Sequence, residues 1–150
     1  MLPPGQEKHM GAANAYKQAY RSAELETVSQ RDLIVRLYQG AERFLIQAQV
    51  AINNRQIEMA HINCQKAKAI FSELLATLNL EAGGDVGIQL RDLYVFLITS
   101  IVEANLKKDG VLIGKLLPII ASLREAWQQI PDEFAQITST PSGHTLSFKT

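Results

Sequence analysis

Four segments of this 150-residue chain carry apolar side chains three and four positions apart, and short breaks rich in Asn, Gly or Asp separate them. That spacing gathers apolar residues on one face of a 3.6-residue helix, so it argues for amphipathic helices rather than strands. The first segment starts at Ser29, carries Ile34, Leu37, Tyr38, Ala41, Phe44, Leu45, Ala48 and Ile52, and ends at Asn53-Asn54. Ser29 and Asp32 have capping-box spacing, with Asp where Glu or Gln is usual. The second begins near Gln56 and places Ile57, Ala60, Cys64, Ala67, Ile70, Phe71, Leu74 and Leu78 on one broad face.

Glu81-Ala-Gly-Gly-Asp-Val-Gly87 is the clearest break, because adjacent glycines favour a turn over a helix. A third helix is expected from about Asp85 to Lys108, with Ile88, Leu90, Leu93, Tyr94, Leu97, Ile98, Ile101, Val102 and Ala104 as its apolar set. Asp109 is a good N-cap for a fourth. That helix carries Leu112, Ile113, Leu116, Leu117, Ile120, Leu123, Ala126, Trp127 and Ile130, and Pro118 inside it is expected to introduce a kink.

Helices of this length, each roughly 30 Å long and joined by short links, predict an all-α fold. The expected architecture is an antiparallel up-down four-helix bundle with a short N-terminal helix or arm. Residues 1–12 contain Pro3, Pro4, Gly5 and Gly11 without periodicity and read as a flexible leader. Residues 13–28 read as a weakly anchored arm in which Tyr16 and Tyr20 lie four apart. The helical domain thus spans 13–130, and from Pro131 to residue 150 the composition of Asp, Thr, Ser, Pro and Gly reads as a flexible tail.

Fifteen basic residues balance fifteen acidic ones, so no surplus of positive charge exists to grip nucleic acid by counterion release. The absence of net charge also gives little protection against self-association. The longest apolar stretch, Leu93 to Val102, is interrupted by Thr99 and Ser100 and is far shorter than the roughly 20 residues of a bilayer crossing. The N-terminal residues lack the apolar run of a secretory signal. A cytoplasmic protein without membrane insertion is the expectation.

Catalytic and metal chemistry finds little footing. Glu58 and His61 have the E-x-x-H spacing of di-iron bundles, but His9 and His144, the other histidines, lie in the expected leader and tail. His61 and Cys64 share a helix face, yet two ligands do not make a zinc site. A phosphotransfer histidine needs a basic or helix-terminal cradle, and around His61 only Lys66 is at hand. Gly83-Gly84-Asp85 lacks the Lys and Ser/Thr of a phosphate loop. No cofactor, no metal and no enzymatic activity are expected.

The third and fourth helices hold more apolar surface than a bundle face of about three residues in seven requires. Leu93 to Val102 leaves only two polar residues, and Gly110 to Leu123 spreads apolar residues around more than half the circumference. Two explanations stand side by side. The N-terminal arm or a second copy of the chain, as a homodimer, covers the excess, or a groove takes up a foreign amphipathic segment.

Four patches carry a resemblance: Leu33-Ile-Val-Arg-Leu-Tyr38-Gln-Gly40-Ala, Gly83-Gly-Asp-Val-Gly-Ile-Gln-Leu90-Arg-Asp-Leu-Tyr94, Val102-Glu-Ala-Asn105-Leu-Lys-Lys-Asp109 and Leu123-Arg-Glu-Ala-Trp127. In order and interval they resemble the flagellar export chaperone family FliS, and Ala15-Tyr16 and Glu26-Thr27 fit its N-terminal arm. Gln39 stands where that family usually has an acidic residue, Val95-Phe96 replaces Asp-Tyr, and Ile98 to Ile101 replaces an arginine-rich stretch.

The resemblance implies a chaperone that binds the C-terminal segment of flagellin in the cytoplasm, blocks premature polymerisation and presents the segment to the flagellar export apparatus. A helical adaptor or chaperone of another secretion or motility system is the alternative, and a phosphotransfer or metal bundle is more distant. Tyr16, Tyr38, Leu90, Leu93, Tyr94, Leu97, Ile98, Asn105, Leu117 and Trp127 are the candidate partner-binding residues. Tyr16 and Asn105 stand out because neither is an obvious core anchor. On this reading, glutamate at Leu97 or Ile98 weakens client binding more than it unfolds the domain.

Overall fold

The computed structural model describes residues 11–17, 29–131 and 137. A short helical segment at residues 11–17 (α1) is exposed along its whole length. Four long helices follow: α2 (Gln30–Asn53), α3 (Ile57–Thr77), α4 (Leu80–Lys107) and α5 (Gly110–Gln129). Each packs on its neighbours in a ring, α2 on α3 and α5, and α4 on α3 and α5. Short connections make consecutive helices antiparallel, which is the up-down bundle expected from the sequence. The α4–α5 contact is the smallest of the four.

Side chains fix three of the helix starts. The Ser29 hydroxyl accepts a hydrogen bond from the Asp32 amide at 3.1 Å, and Asp109 Oδ1 accepts one from the Leu112 amide at 3.0 Å. Each satisfies a donor that a helix N-terminus otherwise leaves open. The third cap belongs to an added turn: Asn79 Oδ1 accepts from the Ala82 amide at 3.1 Å and starts a helical turn at Leu80. The backbone breaks at the glycine pair, as expected, and the long part of α4 runs on from Asp85. Gly84 has φ 53° and ψ −131°, a conformation that glycine reaches without the clash a Cβ would bring. Helix α5 runs unbroken through Pro118, whose ring is exposed to solvent, where water can meet the carbonyl that proline leaves without a donor.

Each long helix sends at least one large aromatic residue into the core: Tyr38 and Phe44 from α2, Phe71 from α3, Tyr94 from α4 and Trp127 from α5, all essentially buried. The rings of Tyr38, Phe71 and Tyr94 lie 6.2–6.4 Å apart in tilted pairs, between the stacked and edge-to-face arrangements. Trp127 Nε1 donates to the Tyr38 hydroxyl at 2.9 Å, and the Tyr38 and Tyr94 hydroxyls share a hydrogen bond at 2.5 Å. The second of these crosses the bundle diagonally, from α2 to α4. Nearer the surface, Arg124 Nε donates to Glu42 Oε1 at 2.6 Å and Gln49 Nε2 to the Gly110 carbonyl at 3.0 Å, joining α2 to α5. Among the described residues, no helix is long and apolar enough to cross a membrane.

Burial pushes the Tyr38 hydroxyl well above its ordinary range, and burial pushes Tyr94 up to about 12. A tyrosine that ionises later in the folded state than in the unfolded one, where the pKa is about 10, stabilises the fold fully below that pH. Its contribution is lost as pH rises from about 10 toward the folded value. Stability measured by urea melts, with Trp127 as the only tryptophan reporter, should therefore fall above about pH 10. The Tyr38→Phe variant should cost about 1–3 kcal/mol at neutral pH, because it strands the Trp127 N–H, and Tyr94→Phe about 1 kcal/mol. The Tyr38→Phe/Tyr94→Phe pair should flatten the alkaline limb, and an unaltered limb would mean other groups cause it.

Candidate partner-binding surface

The inward row of α4 is Leu90, Tyr94, Leu97, Ile101 and Ala104. With 3.6 residues per turn, the row at 88, 95, 102 and 106 falls on the opposite side of the same helix. Ile88, Val95, Val102 and Leu106 occupy it, and all four are exposed, Val95 at 45% and Leu106 at 81%. The stripe is about 27 Å long at 1.5 Å per residue. Phe96, at 48% exposure, extends it toward the flank that faces α5. Together they give α4 a second, outward apolar row, with exposed Arg91, Asp92, Thr99 and Glu103 beside it.

The other flank of α4 faces α3 and carries Asn105 at its end. Asn105 Nδ2 lies 2.9 Å from Nδ1 of His61 on α3. The amide orientation follows from its other side, where Lys108 Nζ donates to Asn105 Oδ1 at 2.6 Å and to its carbonyl at 2.7 Å. With Oδ1 occupied, Nδ2 is the donor, and His61 Nδ1 accepts, which is the tautomer carrying its proton on Nε2. Lys108 ends α4 in the left-handed conformation, φ 48°, with its side chain folded back over the helix terminus. Asn105 thus clasps α3 to α4 at the end of the stripe. Cys64 lies buried, and burial raises its thiol pKa, which disfavours the thiolate. Among the described residues, no three of His, Cys, Asp and Glu gather as a metal site would require.

The structure divides the ten candidate residues. Tyr38, Leu90, Tyr94, Leu97 and Trp127 are in the core. Leu93, Ile98, Asn105 and Leu117 are half-buried at its margin, and Ile98 and Leu117 pack against it. Tyr16 is 75% exposed on α1. The placement corrects the expectation for Leu97: at 0% exposure it offers a partner no surface. The stripe residues Val95, Phe96 and Leu106 were not among the candidates. Their signal is the seven-residue interval of Ile88, Val95 and Val102, out of phase with the core row.

Comparison with known proteins bears on what such a surface meets. A sequence model of the family described as "Flagellar protein FliS" matches residues 12–133. The chain is 32% identical over 133 residues to the flagellar secretion chaperone FliS of Vibrio cholerae, covering 89% of this chain and 98% of that protein. It is 37% identical over 119 residues to the Campylobacter jejuni protein of the same name, covering 79% of this chain and 90% of that one. The Bacillus subtilis protein of that name is 30% identical over 122 residues, covering 80% and 88%.

Burial predicts how charge is tolerated along α4. Leu97→Glu places a carboxylate in the core and should cost more than about 3 kcal/mol, enough to unfold much of the population. Phe96→Glu and Val102→Glu, at exposed positions, should stay within about 0.5 kcal/mol of the parent. Thermal melts by circular dichroism separate the cases. A well-folded Leu97→Glu protein would show that this part of α4 does not pack as described.

Proposed function

The chain belongs to the FliS family of flagellar proteins, and from that premise we propose that it is a cytoplasmic chaperone of flagellin, acting by binding rather than catalysis. Its client is the C-terminal segment of flagellin, which it takes up as an unfolded chain, keeps from polymerising early and presents to the flagellar export apparatus. The observation that carries this reading is the apolar band on α4, Ile88, Val95, Phe96, Val102 and Leu106, left in solvent by a bundle whose core is already complete.

An amphipathic segment laid along this band gains the burial of apolar side chains, each worth about 1.5–3 kcal/mol when fully covered. That gain offsets the entropy of ordering the client. Leu93 and Ile98 extend the contact on the two flanks of α4, Leu117 adds to it from α5, and exposed Tyr16 supplies an aromatic contact from the N-terminal arm. Asn105 closes the end of the band, where its polar groups are already committed to His61 and Lys108. The core residues Tyr38, Leu90, Tyr94, Leu97 and Trp127 serve the client only by fixing where the band lies.

The test is calorimetric titration with a peptide of the last ~40 residues of flagellin, the scale of segment that can cover several grooves on a bundle. A one-to-one complex with a negative heat-capacity change is expected. The Val95→Glu/Val102→Glu protein should lose more than about tenfold in affinity while keeping its melting temperature, since each charge must be desolvated under the client. Undiminished binding by that variant would place the client elsewhere on the bundle. No binding at micromolar peptide would move the client outside flagellin.

A further inference from the structure

The α3–α4 corner holds a residue from far along the chain. Ile137 is half-buried against the core, and its carbonyl accepts a hydrogen bond from the Asn79 amide at 2.8 Å. Asn79 is the N-cap of α4, and both of its oxygens are committed as well. Its Oδ1 accepts from the Ala82 amide at 3.1 Å and its carbonyl from the Gly83 amide at 2.9 Å. In a capping box, a Glu or Gln at the third helical position reaches back to the N-cap amide. Here that position is Ala82, which has no acceptor to offer, and the Ile137 carbonyl takes the role.

The side chain of Ile137 is accommodated by an omission. A Cβ at Gly83 would lie 3.3 Å from both Cβ and Cγ2 of Ile137, tighter than an ordinary van der Waals contact. The next residue, Gly84, breaks the helical path with φ 53°. The first turn of α4, Leu80 to Gly83, is therefore a separate block: capped by Asn79 at one end, hinged at Gly84 at the other, and pressed by Ile137.

We infer that Ile137 is a latch: it plugs the socket formed by the Asn79 amide and Gly83, and in doing so holds the first turn of α4 against the bundle. Released, that turn pivots at Gly84 and loses the acceptor on its N-cap amide. Leu78, which packs against the core beside the socket, then gains exposure next to Leu80, already 42% exposed. The latch thus sets how much apolar surface the α3–α4 end of the bundle shows. The inference is independent of the identity of any client.

Amide hydrogen exchange on the full chain, followed residue by residue by NMR, reads the latch directly. In Ile137→Asp the Asn79 amide should exchange at least roughly tenfold faster, while the amides of Phe44 and Ile70 in α2 and α3 keep the parent rates. Gly83→Ala retains Ile137 but crowds it, and should accelerate the same amide to a smaller degree. Equal Asn79 exchange in the parent and Ile137→Asp would overturn the latch. So would equal acceleration of Asn79, Phe44 and Ile70 in both variants, which would make Ile137 part of the global core rather than a local fastening.

Discussion

The hydrogen-bonded triad of Trp127, Tyr38 and Tyr94 is the constraint on which the bundle's geometry turns. Apolar helices can slide past one another at modest cost, because dispersion and apolar burial have no direction. Buried hydroxyl and indole groups cannot, since an unpaired one forfeits about 1–3 kcal/mol. With Trp127 on α5, Tyr38 on α2 and Tyr94 on α4 within hydrogen-bond reach, a slip of one turn, about 5.4 Å, by any of these helices would strand at least one group. Phe71 of α3 packs on both tyrosine rings and ties the fourth helix to the same level. The rotation of α4 is fixed along with its height.

That rotation decides what α4 shows to solvent. Turning Tyr94 inward brings Leu90, Leu97 and Ile101 with it, and it turns Ile88, Val95, Val102 and Leu106 outward. A helix with one apolar face would present polar residues there. Helix α4 has apolar residues on both sides, and the triad chooses which set becomes core. The exposed band is thus a consequence of the buried one, and the family's chaperone role fits a helix built with two apolar faces.

Much of the fold was legible because its signals are local. Ser29 and Asp109 cap the helices that the periodicity placed after them, since a cap needs only its own side chain and an amide three residues on. The break at Gly83-Gly84 was legible because paired glycines interrupt a helix by themselves, whereas the extra turn that Asn79 caps before it, Leu80 to Gly83, carried no such signal. The candidate site was less legible. Core and groove residues of a helix have the same spacing, so Leu97 and Phe96, adjacent in sequence, were separable only once Tyr94 fixed the phase. The contact of Ile137 with Asn79 had no signal at all, because neither residue's neighbours record a partner so distant in the chain.

An exposed apolar band on a chain of zero net charge invites self-association, and the arrangement of charge beside it moderates that tendency. Arg91 and Asp92 pair at 3.1 Å, and Lys107 and Glu103 at 2.9 Å, along the same helix. Both pairs are well exposed, and such pairs contribute little to stability. Their effect lies in hydration: charged groups near each end of the band hold water there and oppose the flat apolar contact that a second copy would need. Because each pair is neutral, it adds no net charge to this face, so long-range steering by the pairs is weak. Under the proposed chaperone role, recognition would rest on the apolar side chains between the pairs, and such a surface would favour a partner that is itself unfolded. A flexible amphipathic segment can thread its apolar residues between hydrated pairs, where the rigid face of a folded protein would have to strip the water from all of them at once.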